Sequence, residues 1–181
     1  MNQSLIRIGQ GFDIHPWSDD PERNLVLGGV SFPDFPGLAG HSDADAIAHA
    51  CTDAVLGAVG LGDIGQLFPD TDPALAGANS VELLAKAVLA VRSAGWDVGN
   101  IDCTVVLDVP KVSPVREQME ANLAAAVGAP VTVKGKRTEG AANLADSVQC
   151  FAVALLYRID EQSSAGPSPE DAPDDSSDED T

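Results

Sequence analysis

Between Val98 and Val109 apolar side chains recur at every second position, with Ile101, Cys103, Val105 and Leu107 on one side. A period of two makes an extended strand with one face to bury, so other elements must cover that face. Pro110-Lys111 ends the run. Helical patterns flank it: Asn79 with Glu82 three residues on forms a capping box for a helix to about Ala94, stopped by Gly95. Ser113 as N-cap and Pro114 at the first helical position predict a second helix, with Val115, Met119, Leu123 and Val127 inward and a stop at Gly128. Pro130–Lys134 reads as a further strand, and the apolar stretch from about Ala145 to Ile159 as a last helix.

Upstream, Leu5–His15 reads as a strand interrupted by Pro16. Leu25–Leu27 and Val30–Phe32, separated by Gly28-Gly29, read as a hairpin. A helix capped by Ser42 or Asp43 is expected to run to about Gly60, with Asp45, His49 and Asp53 along one stripe. Gly60–Gly65 matches G-x-G-x-x-G but follows a helix and leads into Phe68–Pro73, so it is not a dinucleotide fingerprint. It predicts a loop whose carboxylates, Asp63, Asp70 and Asp72, suit polyol hydroxyls, or simply an acidic turn.

With 181 residues, 44% of them apolar, the chain can bury one core. We expect a domain over residues 1–162 and a disordered tail over 163–181, rich in Ser, Pro, Asp and Glu. The tail carries seven acids and no base, which leaves −11 of the formal −18 on the body. That charge argues against a nucleic-acid partner or an anionic membrane. Lys134-Gly135-Lys136-Arg137 is the one basic cluster, too small for nucleic acid but able to meet a phosphate. Three distant cysteines give no disulfide framework and no thiolate metal site, and no leader or membrane span is evident, so a cytoplasmic protein is expected.

All three histidines fall beside aspartates, in Gly11-Phe12-Asp13-Ile14-His15 and in Gly40–His49. Asp13 and His15 share a strand face, and a helical His49 can meet it, a donor set suited to a divalent metal. The same spacing also fits a polar strand face beside a buried histidine that merely hydrogen-bonds a carboxylate.

Taken together, Gly-Phe-Asp-Ile-His at 11–15, Gly-His-Ser-Asp-Ala-Asp at 40–45, His49, Gly-Asp-Ile-Gly at 62–65, Phe-Pro-Asp-Thr-Asp-Pro at 68–73 and Pro-Lys at 110–111 resemble the 2-C-methyl-D-erythritol 2,4-cyclodiphosphate synthase family of the non-mevalonate isoprenoid pathway. The resemblance spans roughly residues 5–160. It implies an α+β, two-layer α/β fold, a mixed β-sheet with helices packed on one face, in a homotrimer with active sites between subunits. It further implies metal-dependent cyclisation of 4-diphosphocytidyl-2-C-methyl-D-erythritol 2-phosphate with release of CMP, by a phosphorus-oxygen lyase. Asp13, His15 and His49 are then the zinc ligands, and Glu139 takes a second ion, magnesium or manganese. His41 and Ser42 meet the substrate phosphates, with His41 and Arg137 in catalytic positions. Asp63, Ile64, Gly65, Phe68, Asp70 and Asp72 correspond to the methylerythritol site. Leu107, Pro110, Lys111 and Ser113 correspond to the cytidine loop of an adjacent subunit, and Lys136 and Thr138 complete the substrate contacts.

The chain departs from the family pattern at Ala44, usually Gly, and over 135–147. There Lys136-Arg137 replaces threonines, and a Gly- and Arg-containing signature is missing. Two alternatives follow: a catalytically impaired trimeric metal- or ligand-binding homologue, or another zinc-dependent phosphoesterase.

Overall fold

The computed structural model describes residues 5–141 and 144–159. The expected tail over 163–181 lies outside the described residues. A four-stranded sheet has the order β1 (Ile6–Pro16), β6 (Ser147–Arg158), β4 (Trp96–Val106), β5 (Val131–Lys136). β1 and β4 both run antiparallel to β6, and β5 runs parallel to β4, so the sheet is mixed. Helices α1 (Ala46–Val59), α3 (Ser80–Ser93) and α4 (Arg116–Val127) pack on one face. A separate hairpin joins β2 (Asn24–Leu27) to β3 (Val30–Pro36). Among the described residues, no helix is long and apolar enough to cross a membrane.

The covered face carries the core: Val98, Ile101, Cys103 and Val105 of β4 and Val148, Cys150, Ala152, Ala154 and Leu156 of β6 are buried against Ile47, Cys51, Ala54, Leu84, Val88, Met119 and Leu123. The expected alternation of β4 is therefore present, and Leu107 stays buried just past the strand's end.

The segment expected as a last helix is instead β6, paired on both sides. Phe151, Val153, Leu155 and Tyr157 occupy its outer face, so both faces are apolar and no polar alternation betrays the period of two. Its Ala and Leu content suits a helix equally well, and pairing with β1 and β4 decides the outcome. The start of α4 also differs: Ser113-Pro114-Val115 forms a 3-10 turn, and α4 begins at Arg116 behind Val115, with no side-chain cap. Asn79 caps α3 as expected, accepting from the amides of Val81 and Glu82.

α1 is capped neither by Ser42 nor by Asp43 but by Asp45, which reaches further than one helix. Its buried carboxylate accepts from the amides of Ile47 and Ala48 and also from Gly28 and Gly29, at 2.9 and 2.7 Å, in the hairpin turn. Asp45 therefore ties the hairpin to the helix start, and it leaves the stripe expected to carry Asp45, His49 and Asp53.

α1 lies directly on the backbone of β1. A Cβ on Gly11 would sit 1.9 Å from the Ala50 carbonyl oxygen, and one on Gly9 1.9 Å from that of Ala54. Glycine on the strand opposite alanine on the helix permits this approach, and it sets His49 beside the next inward positions of β1, Asp13 and His15. Gly11→Ala is expected to push α1 away, costing about 2–3 kcal/mol and lowering Tm by roughly 5–10 °C. Thermal denaturation followed by circular dichroism measures it.

Candidate metal and ligand site

Where β1 ends, Asp13 Oδ2 lies 3.1 Å from His15 Nε2 and 3.4 Å from His49 Nδ1, and the two ring nitrogens are 3.2 Å apart. Asp13 Oδ2 is buried yet makes no properly formed hydrogen bond. His15 Nδ1 lies 2.7 Å from the Ala39 carbonyl, which can only accept, so Nδ1 carries the proton and Nε2 turns a lone pair inward. A carboxylate oxygen and two imidazole nitrogens that converge within 3.1–3.4 Å of one another are arranged for a cation. These three residues can hold a metal ion. One carboxylate and two imidazoles fit zinc, and three protein ligands leave a coordination position open.

Burial alone would raise the Asp13 carboxyl, but the imidazoles of His15 and His49 outweigh it and hold it at about 2. Burial depresses His15, and the Asp13 carboxylate more than compensates, so its pKa stands above the ordinary 6.5.

The trio opens into a cavity of about 440 Å³ lined also by Gly40, His41, Ser42, Ile64, Gly65, Phe68, Asp70, Leu75 and Leu83. Six of the residues expected at the phosphate and polyol sites are therefore together with the trio: His41, Ser42, Ile64, Gly65, Phe68 and Asp70. Asp63 and Asp72 are not among the lining residues. Asp63 caps the short helix α2 (Ile64–Leu67), and Asp72 caps a 3-10 turn over Pro73–Leu75, so the expected loop is partly helical. Asp53 accepts from the Ile64 amide at 2.8 Å and fastens this segment to α1.

A second cavity, of about 220 Å³, is lined by Leu107, Asp108, Pro110, Lys111, Val112, Ser113, Gly135, Lys136 and Arg137. Lys134 of the basic cluster is instead paired with Asp102 at 2.5 Å. Thr138 is buried and bonded through its hydroxyl and its amide to the Asp108 carboxylate, while Glu139 is exposed at φ +52° and lines neither cavity.

Both cavities sit at the same end of the sheet, because His15, Leu107 and Lys136 all follow or close strands that run in one direction. They belong to opposite edges, however. Three strand spacings, roughly 14 Å, separate β1 from β5. His41 and Arg137, the two expected catalytic residues, therefore line different cavities of one chain.

A model of the YgbB family matches residues 6–157. The chain belongs to the YgbB family. It is 53% identical over 165 residues to the 2-C-methyl-D-erythritol 2,4-cyclodiphosphate synthase of Ralstonia nicotianae, covering 88% of this chain and 97% of that protein. A solved 2C-methyl-D-erythritol-2,4-cyclodiphosphate synthase in its CDP-bound form is 40% identical, with a TM-score of 0.75 over 83% of this chain and 99% of that one. The bifunctional IspDF of Campylobacter jejuni is 39% identical, with a TM-score of 0.79 over 86% of this chain, which spans 43% of that longer protein. This YgbB chain is an enzyme of the isoprenoid pathway.

Within this YgbB fold, Ala44 takes a left-handed φ of +56°, a conformation that favours glycine over an L side chain. Several contributors carry no signal of their own in the sequence. Ala39 acts through its carbonyl, and Leu75 and Leu83 only line the cavity. Ser80, which touches His49, is hidden inside the capping box opened by Asn79.

The pKa shifts give a signed expectation. A raised His15 pKa contributes stability that is present below pH 6.5 and lost as pH rises through the folded value; the depressed Asp13 contributes above its unfolded value and is lost only toward pH 2. Metal needs neutral imidazoles and so competes with protons. The rise in Tm on adding zinc chloride to chelator-treated protein is expected to be larger at pH 8 than at pH 5.5, as read by differential scanning calorimetry.

Proposed function

We propose that the chain converts 4-diphosphocytidyl-2-C-methyl-D-erythritol 2-phosphate into 2-C-methyl-D-erythritol 2,4-cyclodiphosphate and CMP, as a phosphorus-oxygen lyase of the cytoplasm. The observation that carries this reading is the convergence of Asp13, His15 and His49, with Asp13 Oδ2 buried and without a hydrogen-bond partner, at the head of a cavity that also holds His41, Ser42 and Asp70. The 2-phosphate of the substrate attacks the β-phosphorus of its own diphosphate and CMP leaves. Such a transfer depends on alignment and charge neutralisation more than on a covalent intermediate.

The protein's part is to bind and orient. Asp13, His15 and His49 hold zinc, which when bound polarises a diphosphate oxygen. His41 and Ser42 donate hydrogen bonds to phosphate oxygens. Asp70 accepts from a hydroxyl of the methylerythritol, with Ile64, Gly65 and Phe68 packing beside it, while Asp63 and Asp72 hold the segment's shape through their caps. The second cavity takes the cytidine end: Leu107, Pro110 and Ser113 line it, and Lys111, Lys136 and Arg137 face the phosphates. Thr138 fixes this loop through Asp108. Glu139, exposed at the end of this loop, would hold magnesium or manganese, ions that need only one or two protein carboxylates. In a chain of formal charge −18, these cations offset the repulsion of a polyanion.

The active unit is a homotrimer, in which the second cavity of one subunit adjoins the first cavity of its neighbour. Two observations support self-association. The two halves of the site lie at opposite sheet edges, and the sheet face away from the helices exposes Ile6, Ile8, Phe12, Ile14, Phe151, Val153 and Tyr157. A contiguous apolar face of this kind marks an interface. The unit is the domain over residues 1–162. Three free thiols, on Cys51, Cys103 and Cys150, support a reducing compartment.

Purified protein supplied with the diphosphocytidyl substrate, zinc and magnesium is expected to release CMP, measured by chromatography. His15→Ala should lower the rate on the order of 100-fold or more. Undiminished turnover in that variant would sink the assignment. Arg137→Ala is expected to slow turnover about 10–100-fold, the loss of a charge-assisted bond to phosphate; an unchanged kcat would remove Arg137 from the reaction.

A further inference from the structure

Of the two histidines in the trio, His15 is oriented by a backbone carbonyl and His49 is not. The Nε2 of His49, on the side away from Asp13, lies 2.9 Å from Ser80 Oγ and 3.0 Å from Ser42 Oγ, and the two hydroxyl oxygens are 3.1 Å apart. A hydroxyl can donate or accept, so proximity alone does not say which imidazole nitrogen carries the proton.

Asp43 resolves it. Ser80 Oγ makes a short hydrogen bond to Asp43 Oδ1, and the Ser80 amide donates to Asp43 Oδ2 at 3.2 Å. A carboxylate only accepts, so the single hydroxyl proton of Ser80 is committed to Asp43 and Ser80 Oγ can only accept from His49. Nε2 therefore carries the proton, and Nδ1 presents its lone pair toward Asp13 and His15. Ser42 cannot impose this by itself. Its oxygen already accepts from the Ala44 amide at 3.2 Å, but its proton is uncommitted and could be given to Nε2, which would put the imidazole proton on Nδ1, facing the trio. Ser80 is fully buried, so water does not compete for the bond.

We infer that Ser80, with its hydroxyl proton held by Asp43, is a positioning residue that locks His49 in the tautomer able to bind metal through Nδ1. The inference rests on the metal reading of Asp13, His15 and His49, and it adds a relay from the N-terminus of α3 that reaches the site through His49. Ser80 is not one of the three converging residues and lines neither cavity.

The chain has only three histidines, so their ring nitrogens can be resolved in protein labelled with 15N-histidine. In metal-free protein at pH 8, long-range 1H–15N correlation is expected to show the His49 proton on Nε2. In Ser80→Ala it should redistribute toward Nδ1, and zinc affinity, measured by competition with a chromophoric chelator, should fall about 10–100-fold. Ser80→Thr, which keeps the hydroxyl, is expected to recover both. Asp43→Asn offers a second route, because its amide can donate to Ser80 and so release the Ser80 proton toward His49, giving the same shift of tautomer. Retention of the Nε2 proton in both Ser80→Ala and Asp43→Asn, with zinc affinity unchanged, would overturn the inference. A wild-type protein that binds no zinc would instead overturn the metal reading, while the tautomer of the metal-free protein still reports on Ser80 separately.

Discussion

The contact between the backbone of β1 and the alanines of α1 is the constraint on which the site depends. Where Gly9 and Gly11 face Ala54 and Ala50, strand and helix approach so closely that no Cβ fits between them. Packed interiors do not deform smoothly, so this contact fixes both the distance and the axial register of the helix on the strand. One step further along each element stand Asp13 and His49. The same register lets Asp45, at the helix start, collect four amide hydrogen bonds and hold the hairpin turn at Gly28 and Gly29. A small-residue seam in the core thus becomes a donor set at its edge.

The rest of the architecture distributes the chemistry along one end of the sheet. β6 stands between β1 and β4, so the trio and the cation-lined cavity of Lys111, Lys136 and Arg137 cannot merge within one chain. The outer sheet face, apolar on β1 and β6, gives a thermodynamic reason for copies to associate and so to unite the two halves. In the homotrimer proposed above, covering this face and completing the site both come from a neighbouring copy.

Much of this was legible in the sequence because it resides in periodicity and in side chains with distinctive chemistry. The alternation of Ile101, Cys103, Val105 and Leu107 gave β4, Asn79 and Glu82 marked α3, and three histidines beside aspartates marked the trio. β6 was illegible because Phe151, Val153, Leu155 and Tyr157 are apolar on a face that a lone chain exposes, which erased the polar alternation of a half-buried strand. The caps were misplaced for a different reason. Ser42, Asp43 and Asp45 are all competent caps, and what selects Asp45 is its contact with a hairpin far away in sequence. Ser80 was invisible because its contribution is a hydrogen bond to His49 thirty-one residues away. The shared cavity edge also could not be read locally, because strand order is a property of the whole sheet.

The central claim is that Asp13, His15 and His49 bind one metal through an oxygen and two imidazole nitrogens. X-ray absorption fine structure of the zinc-loaded protein measures this directly. The account predicts a first shell of light O and N scatterers at about 2.0–2.1 Å, with the multiple scattering of two imidazoles. A sulfur scatterer at about 2.3 Å, from Cys51, Cys103 or Cys150, or the signature of three imidazoles with His41 included, would contradict it.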